Sequence, residues 1–143
     1  MLSWIGKKMI EHQLSRLRKG DIRASLRMDA PDVEMTFPGE SSWGGVIRGK
    51  AEHRRWLERF VRVGIQIFAD EVVLKGWPWK QTVCIRGRDH LSSGGETVYD
   101  NRYVIWGRLR WGRLQHYEVY EDTIKTQRFD EWLAEGEHTL AAA

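Results

Sequence analysis

The 143 residues are 41% hydrophobic and 30% charged, which fits one domain with its own core and excludes a disordered or fibrous chain. The 23 basic and 20 acidic residues give a formal charge of +3 and are interspersed, so no charged block marks a nucleic-acid tail, and the lone Cys84 excludes an internal disulfide. Eight Trp, four Tyr and four Phe exceed the packing needs of a small core and call for a further use.

The opening segment puts Leu2, Ile5, Met9, Ile10, Leu14 and Leu17 on one stripe and predicts a helix to about Lys19. Gly20 suits the left-handed position after it, and Asp21 can cap a short second helix carrying Ile22 and Leu26. Pro31 stops that helix. Val33, Met35 and Phe37 then alternate with Glu34 and Thr36 as a half-buried strand ending at Pro38-Gly39. Residues 38–49, rich in Gly and Ser around Trp43, read as a loop, and a third helix follows with Trp56, Leu57, Phe60 and Val61 on one face, ending near Gly64. A period of two then takes over, with strands predicted at 67–77, 79–88, 97–109 and 113–123, and a last short helix carries Ile124, Phe129, Trp132 and Leu133. Strand connections this short cannot build parallel crossovers, so the expected class is α+β, a curved antiparallel sheet covered by helices.

The register of the last hairpin decides which side chains meet. A two-residue primed turn at Trp111-Gly112 puts Trp at positive φ, which a bulky residue resists; a three-residue loop with Gly112 left-handed avoids this. Leu109 then pairs with Arg113, Asp100 faces Asp122, and Arg102 faces Tyr120. One face carries Val98, Asp100, Arg102, Val104 and Trp106 with His116, Glu118, Tyr120 and Asp122. The other carries Tyr99, Asn101, Tyr103, Ile105, Tyr117 and Val119, aromatic and poor in charge like a buried dimer surface.

Several local sequences and their order resemble the SnoaL-like and ketosteroid isomerase-like proteins of the nuclear transport factor 2-like superfamily. They are Gly20-Asp21, Val33 to Phe37 with Pro38-Gly39, Gly49-Lys50, Tyr99 to Tyr103, and Trp111-Gly112-Arg113-Leu114 leading to Glu118, Tyr120 and Asp122. The resemblance covers residues 1–139 as a single domain and leaves 140–143 as a tail. It implies a cone-shaped α+β barrel with an apolar pocket, and a homodimer through the outer sheet face, here Tyr99, Tyr103 and Tyr117.

Such a fold hosts several chemistries, so the site must decide between them. The ketosteroid isomerase base would fall in Thr36-Phe37-Pro38-Gly39, which has no carboxylate, and its oxyanion-stabilising acid near Val104, also apolar; that activity is not expected. The cyclase type uses one carboxylate at the end of the last strand, and Asp122 resembles it. The epoxide hydrolase type needs Arg-x-Asp and a second Asp, whereas the order here is Asp100-x-Arg102 with Asp122. The expected site makes Asp122 the general acid/base, Asp100 its partner and Arg102 the orienting, oxyanion-stabilising cation. Tyr120 is a donor to the substrate, and Glu118, Trp106, His116 and Val104 line the site. The expected function is cofactor-independent cyclisation, isomerisation or epoxide-type hydration of a small apolar molecule; the alternative is a non-catalytic ligand-binding or dimerisation module.

The same side chains also admit plainer readings. Asp100, Arg102 and Asp122 fit a cross-strand ion pair equally well. His116 and Glu118 lack metal-ligand spacing and read as a hydrogen-bonded rim, so no metal is expected. Trp43, Trp77 and Trp79 are open between pocket and packing, and Cys84 reads as a small core residue. The arginines and Trp111 of segment 108–113 make too thin a platform for nucleic acid. No apolar run nears the ~20 residues of a membrane span, and no apolar stretch marks a secretory signal. The expectation is a cytoplasmic protein with neither nucleic-acid nor membrane partner.

Overall fold

A computed structural model describes the backbone of residues 2–142 and the side chains of residues 4–136. The elements are α1 (Leu2–Arg18), α2 (Arg23–Met28), β1 (Asp29–Phe37), β2 (Gly45–Arg48), α3 (Lys50–Val63), β3 (Gln66–Trp77), β4 (Lys80–Ser93), β5 (Glu96–Arg110), β6 (Arg113–Glu121) and α4 (Thr123–Ala142). The predicted tail 140–143 falls on the end of α4 as far as Ala142, and Ala143 lies outside the described residues.

The α+β class is as expected, with one sheet in the order β2-β1-β6-β5-β4-β3, unclosed and curved against the helices. Besides a β1 that starts at Asp29, ahead of Pro31, and an α4 of 20 residues where a short helix was expected, two features of the sheet depart from the sequence reading. Residues 45–48, expected within a loop, form β2 and pair antiparallel with the end of β1. The sheet is not wholly antiparallel, because β1 and β6 pair in parallel, Met35 beside Tyr117 and Thr36 beside Glu118. The short-connection rule does not reach this pair, since a helix and four strands separate its members in the chain.

Helix α1 packs on β3, α3 on β1 and β2, and α4 on β5. The predicted stripe of α1 supplies Ile10, Leu14 and Leu17 to the core, and α3 supplies Leu57 and Phe60. Phe129 of α4 stacks on Tyr99 at 4.4 Å. Gly20 follows α1 at φ 78°, left-handed as predicted, and Gly64, where α3 was expected to end, closes it at φ 93°. Gly87 has a steric reason: a Cβ there would overlap the Phe68 carbonyl and crowd the Tyr103 hydroxyl, which donates to that carbonyl at 2.9 Å.

Candidate functional site

The last hairpin makes the turn that steric reasoning rejected. Arg110 pairs with Arg113, so the loop is the two residues Trp111 and Gly112, at φ 51° and 75°. Positive φ at both central positions is the type I′ signature, whose twist matches the strands. A bulge between Arg108 and Leu109 shifts the register by one residue more, so the ladder runs Tyr103 to Glu121, Val104 to Tyr120 and Trp106 to Glu118. The slip of two residues leaves each side chain grouped with the same companions but changes every partner. Asp100 and Asp122 lie beyond the paired stretch and do not face each other.

The faces are the reverse of the sequence reading. Tyr99, Asn101, Tyr103 and Val119 are buried, and Tyr103, Ile105, Tyr117, Val119 and Glu121 line the interior. These tyrosines are therefore not an outer dimer surface. The proposed pocket residues stand outside: Asp100, Arg102, Val104, Trp106, Tyr120 and Asp122 are exposed, and His116 and Glu118 are half-buried on the same side. None of the eight lines the interior cavity. Their contacts have plain structural meanings. Asp122 caps α4, its Oδ1 accepting the N–H of Ile124 at 3.0 Å and of Lys125 at 3.3 Å. Tyr120 donates to Glu118, which His116 approaches at 3.5 Å. Cys84 pairs with Trp106 in the ladder and shares its outer groove, so it is not a core residue. Trp43 is buried, while Trp77 and Trp79 are exposed.

The interior cavity measures about 130 Å³. Ile10, Leu14 and Leu17 of α1, Leu57 and Phe60 of α3, and Val83, Ile85 and Ile105 of the sheet make most of its wall apolar. Beside Gln13 and Ser25, two groups of ionisable side chains interrupt that wall. At the first, Asp29 Oδ2 lies 2.6 Å from His53 Nδ1, and His53 Nε2 lies 2.7 Å from the Tyr117 hydroxyl. Asp29 and His53 are 1% and 2% exposed, and Asp29 Oδ1 is buried without a partner. Burial, and then the charge of Asp29, push the Tyr117 phenol above the ordinary tyrosine range. Three elements build this chain: the start of β1 carries Asp29, the first turn of α3 brings His53 inward, and β6 presents Tyr117.

The second polar group is the carboxyl pair of Asp89 and Glu121. Burial first, then the neighbouring Glu121 charge, push Asp89 well above the carboxylate range. Burial also raises Glu121, against the pull of Thr126 Oγ1 and Tyr99 OH, which donate to its Oε1 at 2.5 and 3.0 Å. Asp89 Oδ1 and Glu121 Oε2 are buried without a hydrogen-bond partner, and burial beside a second acid favours the protonated form of Asp89. Tyr117 and Glu121 are four residues apart on one face of β6, which separates the two polar groups by ~13 Å along the strand.

Sequence reasoning passed over both groups. His53, Leu57 and Phe60 recur at helical spacing, which puts a histidine on the buried stripe of α3 and was the available signal. Nothing local marked Asp29 as its partner. Glu121, next to the chosen Asp122, needed only the correct choice of inward face. Among the described residues, no group of three or more His, Cys, Asp or Glu could hold a metal ion, and no helix is long and apolar enough to cross a membrane.

No family model matches the sequence, and no curated protein matches it either. Among solved structures the chain is similar to Bal32a from a soil-derived mobile gene cassette, with TM-score 0.74 and 16% identity over 87% of this chain and 95% of that one. It is similar to an NTF2-like protein of unknown function from Burkholderia pseudomallei, with TM-score 0.72 and 18% identity over 87% and 95%. It is also similar to TerC co-crystallised with polyporic acid, with TM-score 0.71 and 24% identity over 87% and 96%. At such identities the likeness is one of fold, and the fold of this chain is the nuclear transport factor 2-like fold.

Proposed function

We propose that the chain is a small-molecule enzyme performing cofactor-independent acid/base chemistry on a largely apolar substrate held in the interior cavity. The observation that carries this reading is the hydrogen-bonded series Asp29, His53, Tyr117 set into a mostly apolar wall. Burying three such groups is costly unless they are mutually satisfied, and even here one Asp29 oxygen is left open.

The chemistry follows from the order of the groups. Asp29 accepts the Nδ1 proton and orients the imidazole. In the acid direction, a substrate oxygen gaining charge takes the Tyr117 proton, and the phenol oxygen takes the proton on His53 Nε2. The base direction reverses both transfers. The raised Tyr117 keeps phenolate from accumulating, so the hydroxyl acts as a relay. Across the cavity, the Asp89–Glu121 pair is a second proton-bearing group. Proton exchange of this kind serves isomerisation, cyclisation or addition of water alike. TerC's co-crystallisation with polyporic acid supports the idea that the fold accepts an organic molecule.

Native mass spectrometry of the purified protein looks for a retained small molecule, and incubation in D2O then follows exchange of its C–H positions. Exchange that Tyr117→Phe lowers ~10²-fold with binding intact supports the enzyme. A retained ligand that never exchanges or turns over leaves the non-catalytic binding module instead. A homodimer, if formed across the sheet, uses the outward Val73, Val104, Trp106 and Tyr120, all exposed. Sedimentation of the parent against Trp106→Glu tests this: a dimer made monomeric supports it, and a monomeric parent refutes it.

A further inference from the structure

We propose that the end of the molecule formed by the β3–β4 and β5–β6 hairpin tips and the start of α1 docks onto an anionic membrane surface. Three tryptophans stand there in solvent, Trp77, Trp79 and Trp111 at 69%, 52% and 65% exposure. They are held as one unit. Trp77 and Trp79 stack at 5.5 Å and 4°, Trp79 meets Trp111 at 6.0 Å, and the Trp111 N–H donates to the Pro78 carbonyl at 2.7 Å. The start of α1 adds exposed Trp4, Ile5 and Met9 to this end, since Gly6 packs against Leu74 of β3 and Met9 shares a groove with Gly112 and Arg113.

Trp111 is the informative residue. It is the non-glycine residue held at positive φ, 51°, a position that type I′ turns give to Asn, Asp or Gly. A bulky side chain there costs about 1–2 kcal/mol, and such strain persists where a residue's contacts outside the fold are what matter. Nothing in the fold requires this indole, which packs on another exposed indole and covers no core.

Charge selects the partner. Segments 2–10, 72–88 and 101–117 contain no Asp or Glu, and the end they form bears Lys7, Lys8, Lys75, Lys80, Arg110 and Arg113. A second copy docking here would bring cations against cations. An anionic surface complements them, and indoles flanked by Lys and Arg suit the boundary between headgroups and acyl chains. Aliphatic Ile5 and Met9 fit the acyl boundary and offer nothing to nucleic-acid bases, while stacking of Trp77 on Trp79 occupies the ring faces a base would need. The lack of a spanning segment bears on crossing a bilayer and not on lying against one.

Co-sedimentation with phosphatidylcholine vesicles, with and without phosphatidylglycerol, tests the proposal. The parent pellets with phosphatidylglycerol vesicles, its tryptophan emission shifts to the blue, and added salt releases it. Trp111→Gly keeps or raises the unfolding midpoint yet weakens partitioning about tenfold, and Trp77→Ser repeats the loss independently. Lys80→Glu weakens it at least about fivefold. The proposal is overturned if the parent ignores anionic vesicles or if Trp111→Gly and Trp77→Ser bind as the parent does. It also fails if a single-stranded oligonucleotide is bound through Trp111 while vesicles are not, or if Trp111→Gly turns a dimer into a monomer.

Discussion

On the inner face of β5 and β6, Tyr99, Tyr103 and Tyr117 each have a partner for the hydroxyl: Glu121, the Phe68 carbonyl and His53. At the tips of the neighbouring hairpins, three tryptophans stand in water with little but each other. The same sheet thus treats its aromatic residues in two ways. Inside, a ring brings a polar atom that must be satisfied, and the satisfied phenols create the polar groups of the cavity. At the tips, rings contribute little to the core, and a local conformational rule is broken to keep one of them. The first region is governed by stability, and the second by contact with something outside the chain.

The contrast can be broken most severely from inside. His53→Leu leaves Asp29 buried and alone, and a loss of about 3–5 kcal/mol in denaturant unfolding is expected. Asp89→Asn acts through pH. The raised Asp89 means that the native state holds its proton more tightly than the unfolded chain does. That contribution is complete below the unfolded carboxylate value of about 4 and is lost as pH rises through the folded one. The parent therefore loses stability on the alkaline side of that titration, and Asp89→Asn flattens the profile; an unchanged profile refutes the buried proton. Asp122→Ala, on the outer side, removes a helix cap, costs about 1 kcal/mol and leaves ligand binding and turnover untouched. The smallest change comes from the tip. Trp111→Gly relieves positive φ but forfeits its contact with Trp79, for a net gain of roughly 0–1 kcal/mol by thermal unfolding.

How far the sequence could be read is visible in these residues. The stripe of α1, the left-handed Gly20, the end of α3 at Gly64 and the alternation of the long strands follow from periodicity and steric rules, so class and element order were legible. So was the grouping of side chains on β5 and β6, because a slip of two residues preserves it. Which group turns inward was not. Both faces mix apolar and polar residues, and the inner one is filled by phenols whose partners, Glu121, Phe68 and His53, come from other parts of the chain. The carboxylates on the other face fitted the chemistry, yet one of them, Asp122, lies just past the end of β6 and caps α4. The turn was misread for the opposite reason, since a sound local preference gave way at Trp111.

The parallel pairing of β1 with β6 also says something about time. Five elements separate these strands in the chain, yet they lie side by side in the middle of the sheet. Contacts between segments so far apart are slow to form, because the loop between them must close first. Asp29 sits on the first strand and Tyr117 on the last, so their link through His53 arises only when that closure succeeds.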